Sequence, residues 1–273
     1  MKIKIKIKIL FLISVLFLSA CDDMYDFSPY VINFKGENKD VNRKNIEKLP
    51  KKDKGDTIRI AFVADTHRFF DEFEGFVNAA NDYNRKKPID FVIHAGDIAD
   101  FGLPKQYLWG NSFLLKLDCP YFVLVGNHDL VGNGGLAYSE MFGAYDFSFI
   151  YAGIKFVFIN TNSREFKFNG KVPDINWLDS QLQPSEDFKN AVVIFHVAPM
   201  DGDFDSNLEE DFYTTIAKYN NVLFTVHGHT HHHEVYKPYA DSILYVNVYG
   251  AQYKKFNVIT IKDEKFEIET CEY

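Results

Sequence analysis

The chain lacks a hydrophobic run long enough to cross a membrane as a mature helix. Its N-terminal apolar run, residues 9–18, has only ten residues, whereas a bilayer-spanning helix needs about 20. The lysines that precede this run, Lys2, Lys4, Lys6 and Lys8, form a basic n-region. A basic start followed by a short apolar run predicts a signal peptide over residues 1–20, which takes no part in the mature fold.

Cysteine is also scarce, with only three residues in the chain. The first of them ends the tetrapeptide Leu18-Ser19-Ala20-Cys21, which resembles a bacterial lipobox. The resemblance implies that cleavage leaves Cys21 as a lipidated N-terminus and that the protein is anchored in the bacterial cell envelope, at the periplasmic or surface face of the outer membrane. The alternative is ordinary signal cleavage with Cys21 as a free thiol. Cys119 and Cys271 could pair in an exported protein, but nothing in the sequence brings them together.

Basic residues are fewer than acidic residues in this chain. The whole chain has 30 Lys and Arg against 38 Asp and Glu, and without the four signal lysines the difference is −12. Such an acidic surface repels polyanions and argues against a dedicated nucleic-acid binder.

Two ligand-binding motifs are present only in incomplete form. Residues 132–135, Gly-Asn-Gly-Gly, lack the Gly-Lys-Ser/Thr of a phosphate-binding P-loop and predict a flexible loop. Residues 201–207 are rich in Asp like a calcium loop, but Ser206 replaces the required glycine and Phe212 the closing glutamate. This second stretch therefore predicts a solvated acidic loop.

The hydrophobic pattern indicates one α/β domain. Residues 21–56 are mostly polar and predict a tether, in which residues 30–34 could latch onto the domain. From residue 57 to residue 273, apolar runs of strand length alternate first with helices and later with tight turns. Residues 73, 76, 77 and 80 follow helical spacing after Asp71, which can act as an N-cap. Parallel βαβ units followed by hairpins predict two mixed sheets face to face, with helices outside.

Five short polar motifs follow the apolar strands. They supply carboxylate, imidazole and amide groups, the ligands that suit Mn, Fe, Zn or Ni better than Mg or Ca. In chain order the motifs are Asp65-Thr66-His67, Gly96-Asp97-Ile98-Ala99-Asp100, Gly126-Asn127-His128-Asp129, His196 and Gly228-His229-Thr230-His231. Because sites in such sheets assemble at the carboxyl ends of strands, this series predicts a two-metal hydrolase.

The ordered series resembles that of the calcineurin-like metallophosphoesterases over most of residues 58–250. The family pattern is D-x-H, G-D-x-x-D, G-N-H-D/E, a single H and G-H-x-H, and every element is present in order. The resemblance implies a four-layer αββα sandwich. It also implies that Asp65, His67 and His231 bind one divalent transition-metal ion, that Asn127, His196 and His229 bind a second, and that Asp97 bridges them. His128 would face the substrate, with Asp100 orienting its imidazole.

The function implied is hydrolysis of a phosphomonoester or phosphodiester by attack of a metal-bridging hydroxide. The alternative is a non-catalytic envelope lipoprotein that keeps only the fold, but a degenerate member would have lost ligands and none is missing here. Among the remaining polar residues, we expect His94 to be a core or outer-shell histidine and Asp129 to stabilise a turn. His227 competes with His231 for the ligand role, and the motif alignment favours His231.

Overall fold

The computed structural model describes residues 28–240 and 243–273. The predicted signal peptide and Cys21 lie outside these residues. Among the described residues, no helix combines the length and the apolar character needed to cross a membrane. The elements in chain order are α1 (Val41–Ile46), β1 (Ile58–Val63), α2 (Phe70–Lys86), β2 (Phe91–His94), α3 (Pro104–Leu114), β3 (Tyr121–Val123), α4 (Gly134–Met141), β4 (Phe147–Tyr151), β5 (Ile154–Phe158), α5 (Ile175–Leu182), β6 (Asn190–Ile194), α6 (Glu209–Ala217), β7 (Val222–His227), β8 (Glu234–Tyr236), β9 (Tyr245–Asn247), β10 (Lys255–Lys262) and β11 (Lys265–Glu272).

The strands form two mixed sheets. The first has the order β11-β10-β1-β2-β3, in which β1, β2 and β3 are parallel and β10 and β11 antiparallel. The second has the order β4-β5-β6-β7-β9-β8, with four central parallel strands and antiparallel edge strands β4 and β8. In each sheet the carboxyl ends of the parallel strands therefore lie on the same side.

Side-chain alternation along the strands divides the core into three apolar layers. In β1, Ile58, Ile60 and Phe62 point into the layer between the sheets, whereas Ala61 and Val63 pack under helices α2, α3 and α4. A third layer lies between the second sheet and helices α5 and α6. The predicted four-layer αββα sandwich is confirmed.

Helix α2 buries the four side chains that its spacing indicated, Phe73, Phe76, Val77 and Ala80. The predicted N-cap was wrong, because the helix begins at Phe70 and Asp71 lies in its first turn. An acidic residue in that position still interacts favourably with the exposed N–H groups of the helix N-terminus.

The stretch before β1 is packed on the domain over much of its length and is not a free tether there. Phe34 and Val41 are buried in the helical layer beside the first sheet. Asn42 donates to Val123 O and accepts from Val123 N, both at 2.9 Å, so its amide pairs with edge strand β3. The sequence did not reveal this, because the partners of α1 lie some 80 residues further along the chain.

The predicted flexible loop at residues 132–135 is also corrected. Helix α4 begins at Gly134 and buries Ala137, Tyr138 and Met141. A Cβ on Gly134 would overlap Asp129 O and Gly102 Cα, so this glycine permits a close approach of two backbones.

Cys119 and Cys271, which the sequence left as a possible pair, are both free thiols. Burial raises the pKa of Cys119 to about 12 and that of Cys271 to about 11. Both are therefore protonated, unreactive side chains near neutral pH.

The pairing of α1 with β3 leads to a stability prediction. We expect Asn42→Ala to lower the free energy of unfolding by about 1–3 kcal/mol, because it leaves buried backbone groups of β3 without partners. Arg43→Ala on the exposed side of the same helix is the control and should cost less than about 1 kcal/mol. Urea denaturation of the two variants measures the difference, and equal losses would show that the pairing contributes nothing.

Candidate metal centre

The sequence motifs converge at one edge of the fold, where the parallel strands of both sheets end. Asp65 and His67 follow β1, Asp97 follows β2, Asn127 follows β3, His196 follows β6, and His229 and His231 follow β7. The tertiary structure therefore brings together side chains from five separate segments of the chain.

Asp65, His67 and His231 form one group, in which their ligand atoms all lie within 4.8 Å of one another. His231 Nε2 is 3.6 Å from Asp65 Oδ1. Asp65 Oδ1 and both ring nitrogens of His67 are buried without a hydrogen-bond partner. Buried polar atoms are rarely left in this state, and this arrangement suits a cation.

A second group is arranged around the Asn127 side-chain oxygen. His196 Nε2 and His229 Nδ1 each lie 3.1 Å from Asn127 Oδ1. An amide oxygen and two imidazole nitrogens form a neutral ligand set that suits transition-metal ions.

Asp97 lies between the two groups. Its Oδ2 is 3.6 Å from His67 Nε2 and 3.3 Å from His196 Nε2. Burial raises the pKa of Asp97, but the neighbouring imidazoles more than offset this and hold its pKa well below the usual range. By contrast, burial and the Asp97 charge raise the pKa of Asp65. The neighbouring imidazoles thus stabilise the charge of Asp97, whereas the charged form of Asp65 calls for a further positive charge beside it.

The backbone turns sharply at these residues. Asp65, Asp97, His229 and His231 have φ values of 53°, 63°, 74° and 67°, the left-handed region that is uncommon for residues other than glycine. Such backbone conformations cost free energy and cluster at functional sites. Here each one follows a strand end and directs a side chain into the centre.

Two motif glycines are required by close packing. A Cβ on Gly96 would overlap the His196 ring, and one on Gly126 would overlap the Asp97 carboxylate. The glycines before Asp97 and Asn127 therefore allow ligands from different strands to approach one another.

Asp129 connects two of the ligand loops. Its carboxylate accepts hydrogen bonds from the backbone N–H groups of Asp97, Ala99 and Gly126, at 3.0, 2.8 and 2.8 Å. This arrangement confirms the turn-stabilising role predicted for Asp129 and extends it to a second turn.

Each candidate ligand imidazole has one nitrogen facing the centre and the other facing an outer partner. The outer partners are Ala95 O for His196 at 2.7 Å, Gln252 Oε1 for His231 at 3.2 Å, Asp201 Oδ1 for His229 at 3.5 Å and Asp100 Oδ1 for His67 at 3.5 Å. Outer partners of this kind fix the tautomer and orientation of a metal-binding histidine. Burial also lowers the pKa of His67 to about 4, which keeps its imidazole in the neutral, ligating form.

His128 lies at the border of the centre and is partly exposed. Its ring stacks on that of His67 with centroids 4.4 Å apart. Nδ1 lies 3.0 Å from Asp100 O and 3.2 Å from Asp100 Oδ1. Arg68 contacts the same Asp100 oxygen at 2.7 Å. Asp100 and His128 are therefore adjacent, as expected, and Arg68 extends the chain of contacts.

The remaining histidines lie outside these groups. His94 is buried, with Nε2 2.9 Å from Thr66 Oγ1, in keeping with a core role. His227 is also buried and its Nε2 lies 2.9 Å from Tyr236 Oη, so it is His231 that faces Asp65.

Sequence reasoning missed three residues around the centre, Arg68, Asp201 and Gln252. It also predicted residues 201–207 as a solvated loop, which is wrong, because Asp203 and Asp205 are buried and Asp201 faces His229. Asp201, Asp203 and His229 form a further group of potential ligand atoms. No spacing rule could have found these contacts, because they join loops that are distant in sequence.

Similarity to known proteins agrees with this geometry. A "probable cyclic nucleotide phosphodiesterase" of Coxiella burnetii is 26% identical over 231 residues, covering 77% of this chain and 90% of that protein. A "probable glycerophosphodiester phosphodiesterase" of Arcobacter nitrofigilis is 28% identical over 167 residues, covering 54% and 59%. An uncharacterized Bacillus subtilis protein is 26% identical over 201 residues, which cover 64% of this chain but only 15% of that protein.

Among solved structures, a dimetal phosphatase from Danio rerio shares the fold, with a TM-score of 0.61 at 13% identity over 78% of this chain and 95% of that one. The sequence profile of the calcineurin-like phosphoesterases matches residues 58–233. With its motifs, fold and profile in agreement, the chain belongs to the calcineurin-like phosphoesterase family.

Proposed function

We propose that the protein is a two-metal phosphodiesterase of the bacterial envelope. The observation that carries the two-metal part is the position of Asp97, with one carboxylate oxygen within 3.6 Å of imidazoles from both ligand groups. A carboxylate placed in this way can bind two cations at once. The diester preference rests on the names of the relatives from Coxiella and Arcobacter.

The residues fit two divalent ions. In this proposal the first ion is held by Asp65, His67 and His231, the second by Asn127, His196 and His229, and Asp97 contacts both. The unpartnered atoms of Asp65 and His67 and the neutral form of His67 supply ligands without displacing existing hydrogen bonds. The donor set suits Mn, Fe, Zn or Ni.

The chemistry of the ions explains how an acidic protein binds an anionic substrate. When bound, two divalent ions lower the pKa of a coordinated water and stabilise the attacking and leaving oxygens of a phosphoryl displacement. Only Asp65 and Asp97 contribute formal negative charge to the two ligand groups, so the loaded centre has an excess of positive charge. This local charge attracts a phosphoester despite the net charge of −8.

In this proposal His128 acts on the substrate and does not bind an ion, although its ring lies close to His67 and Asp97. Its imidazole is oriented by Asp100 and by stacking on His67, and it is partly exposed at the border of the centre. An imidazole in this position can stabilise negative charge or give a proton to the leaving oxygen. Arg68 holds the Asp100 carboxylate from the other side.

The roles of Asp97 and His128 can be separated by substitution. We expect the metal-loaded mature chain to hold two ions and to hydrolyse bis(4-nitrophenyl) phosphate faster than 4-nitrophenyl phosphate. Asp97→Ala should lose most of both ions and the activity with them. His128→Ala should keep both ions and lower kcat by about 10²-fold or more, as expected for loss of acid–base catalysis.

Metal analysis and steady-state kinetics on the same preparations measure both effects. A single ion in the metal-replete protein would contradict the two-metal proposal. Two ions with no hydrolysis of either ester would favour the non-catalytic alternative.

The contact between Asp201 and His229 predicts a metal-affinity effect. We expect Asp201→Asn to weaken binding of the second ion about 10–100-fold, because the outer partner of a ligand histidine loses its negative charge. Asp211→Asn, which removes an exposed carboxylate from α6, is the matched control for charge. Titration of the apoprotein with Mn²⁺ or Zn²⁺ measures the affinity, and identical behaviour of both variants would exclude a role for Asp201 in holding His229.

We also propose that Cys21 carries a lipid that anchors the protein in the envelope. The support is the sequence Leu18-Ser19-Ala20-Cys21 at the end of the short apolar run. One acyl chain gives only marginal membrane binding, whereas the diacylglyceryl group of a bacterial lipoprotein supplies two chains.

This anchor predicts that Cys21→Ser releases the protein from envelope membranes or leaves an unprocessed precursor. Membrane fractionation and intact-mass measurement give the readout. Unchanged processing and membrane association in the variant would exclude lipidation at Cys21.

A further inference from the structure

An exposed apolar surface borders the metal centre on the His128 side. We call it the rim face and define it by Tyr30, Val31, Phe101, Leu108, Trp109, Val131 and Leu136. The exposed fractions of Phe101, Trp109 and Leu136 are 54%, 47% and 69%. Single exposed apolar side chains are ordinary, but several on one surface indicate an interaction site.

Contacts between three segments hold the residues of the rim face on neighbouring parts of the fold. Asn133 Nδ2 donates to Tyr30 O at 3.1 Å, which joins the N-terminal segment to the start of α4. Val31 and Leu108 line one groove between that segment and α3. Tyr107 Oη donates to Asp129 O at 2.6 Å, which joins α3 to the loop before Val131.

The charge pattern of these segments differs from that of the whole chain. Residues 29–34, 101–117 and 130–139 contain no Asp or Glu, although the chain has 38 acidic residues. Lys105 lies on the exposed side of α3, and its ammonium is 5.3 Å from the Trp109 ring. Exposed Trp, Tyr and Leu side chains together with Lys are typical of surfaces that enter the interface of a bilayer.

The position of Cys21 favours a membrane as the occupant of this surface. Tyr30 follows Cys21 by nine residues, which span at most about 30 Å of extended chain. A lipid on Cys21 would therefore keep Tyr30, the N-terminal residue of the rim face, within that distance of the bilayer. Two weak contacts on one molecule reinforce each other, because the first raises the effective concentration of the second.

We propose that the rim face docks on the bilayer that holds the Cys21 lipid, with Trp109, Leu108 and Leu136 entering the interface. The proposed anchor brings the rim face close to the bilayer. The apolar contact between the rim face and the lipid does not itself need the anchor. This docking holds the His128 side of the metal centre at the lipid headgroups, because Phe101 directly follows Asp100 and Val131 lies three residues after His128. The acidic character of the rest of the protein favours zwitterionic over anionic lipid.

Tryptophan fluorescence can test the docking, because the chain has only two tryptophans. Trp177→Phe leaves Trp109 as the single reporter. Two forms of the mature chain are mixed with phosphatidylcholine vesicles that contain brominated acyl chains. One form carries the native lipidated Cys21. The other carries Cys21→Ser and is given an excess of vesicles. We expect the brominated lipid to quench most of the Trp109 emission in the lipidated protein and a smaller part in the Cys21→Ser chain, with little effect of salt.

A matched reporter on another surface controls for simple proximity. The triple variant Trp109→Phe, Trp177→Phe, Val235→Trp places one tryptophan on the exposed edge strand β8 of the second sheet. We expect no quenching at this position. Leu108→Ser with Leu136→Ser should weaken vesicle binding of the Cys21→Ser chain about tenfold or more, since two leucines leave the interface.

Three results would overturn the proposal. The first is Trp109 emission that brominated lipid leaves unchanged while vesicle flotation shows the lipidated protein to be bound. The second is equal quenching at positions 109 and 235. The third is a dimer in sedimentation that shields Trp109 from acrylamide without vesicles, which would assign the rim face to a second copy of the chain. Failure of the lipidated protein to float, with Trp109 still quenched in the Cys21→Ser chain, would refute only the anchor.

Discussion

The buried carboxylates of Asp65 and Asp97 are the constraint on which the site depends. Both are almost fully removed from solvent, and an uncompensated buried charge is strongly destabilising. Imidazoles from four loops surround them, and Asp97 keeps its charge because those imidazoles oppose the effect of burial on its pKa. The same negative charge that is unfavourable in an apolar interior is what a divalent cation requires of its ligands.

The αββα sandwich makes this concentration of charge possible. Its three apolar layers hold the strands rigidly, and the parallel strands bring their carboxyl ends to one edge. Left-handed turns at Asp65, Asp97, His229 and His231 then direct ligands inward from loops only a few residues long. Asp129 fixes two of these loops to each other through three backbone hydrogen bonds. The free energy of packing in the core therefore offsets the backbone strain at the site.

The surface of the protein also has regions that differ in charge and polarity. The chain as a whole is acidic, which disfavours binding of polyanions, and in the proposed function the centre attracts a phosphoester through bound ions. The rim face differs in consisting of apolar side chains, with Lys105 beside Trp109. The proposed docking at the rim face and the proposed hydrolysis at the centre therefore rest on different interactions, although the two surfaces share a border at Asp100 and His128.

The sequence by itself determined the family, the layered fold and the candidate ligands that meet at the centre. Strand-length apolar runs, the helical spacing of Phe73, Phe76, Val77 and Ala80, and the five motifs are all local patterns, and local patterns are readable without coordinates. Helices α1 and α4 escaped detection because their sequences have weak helical signals and their stability comes from packing. Arg68, Asp201 and Gln252 escaped detection because their roles depend on which loops meet in space. Only the tertiary structure could decide those contacts, since each of these residues acts through a partner whose position is set by the whole fold.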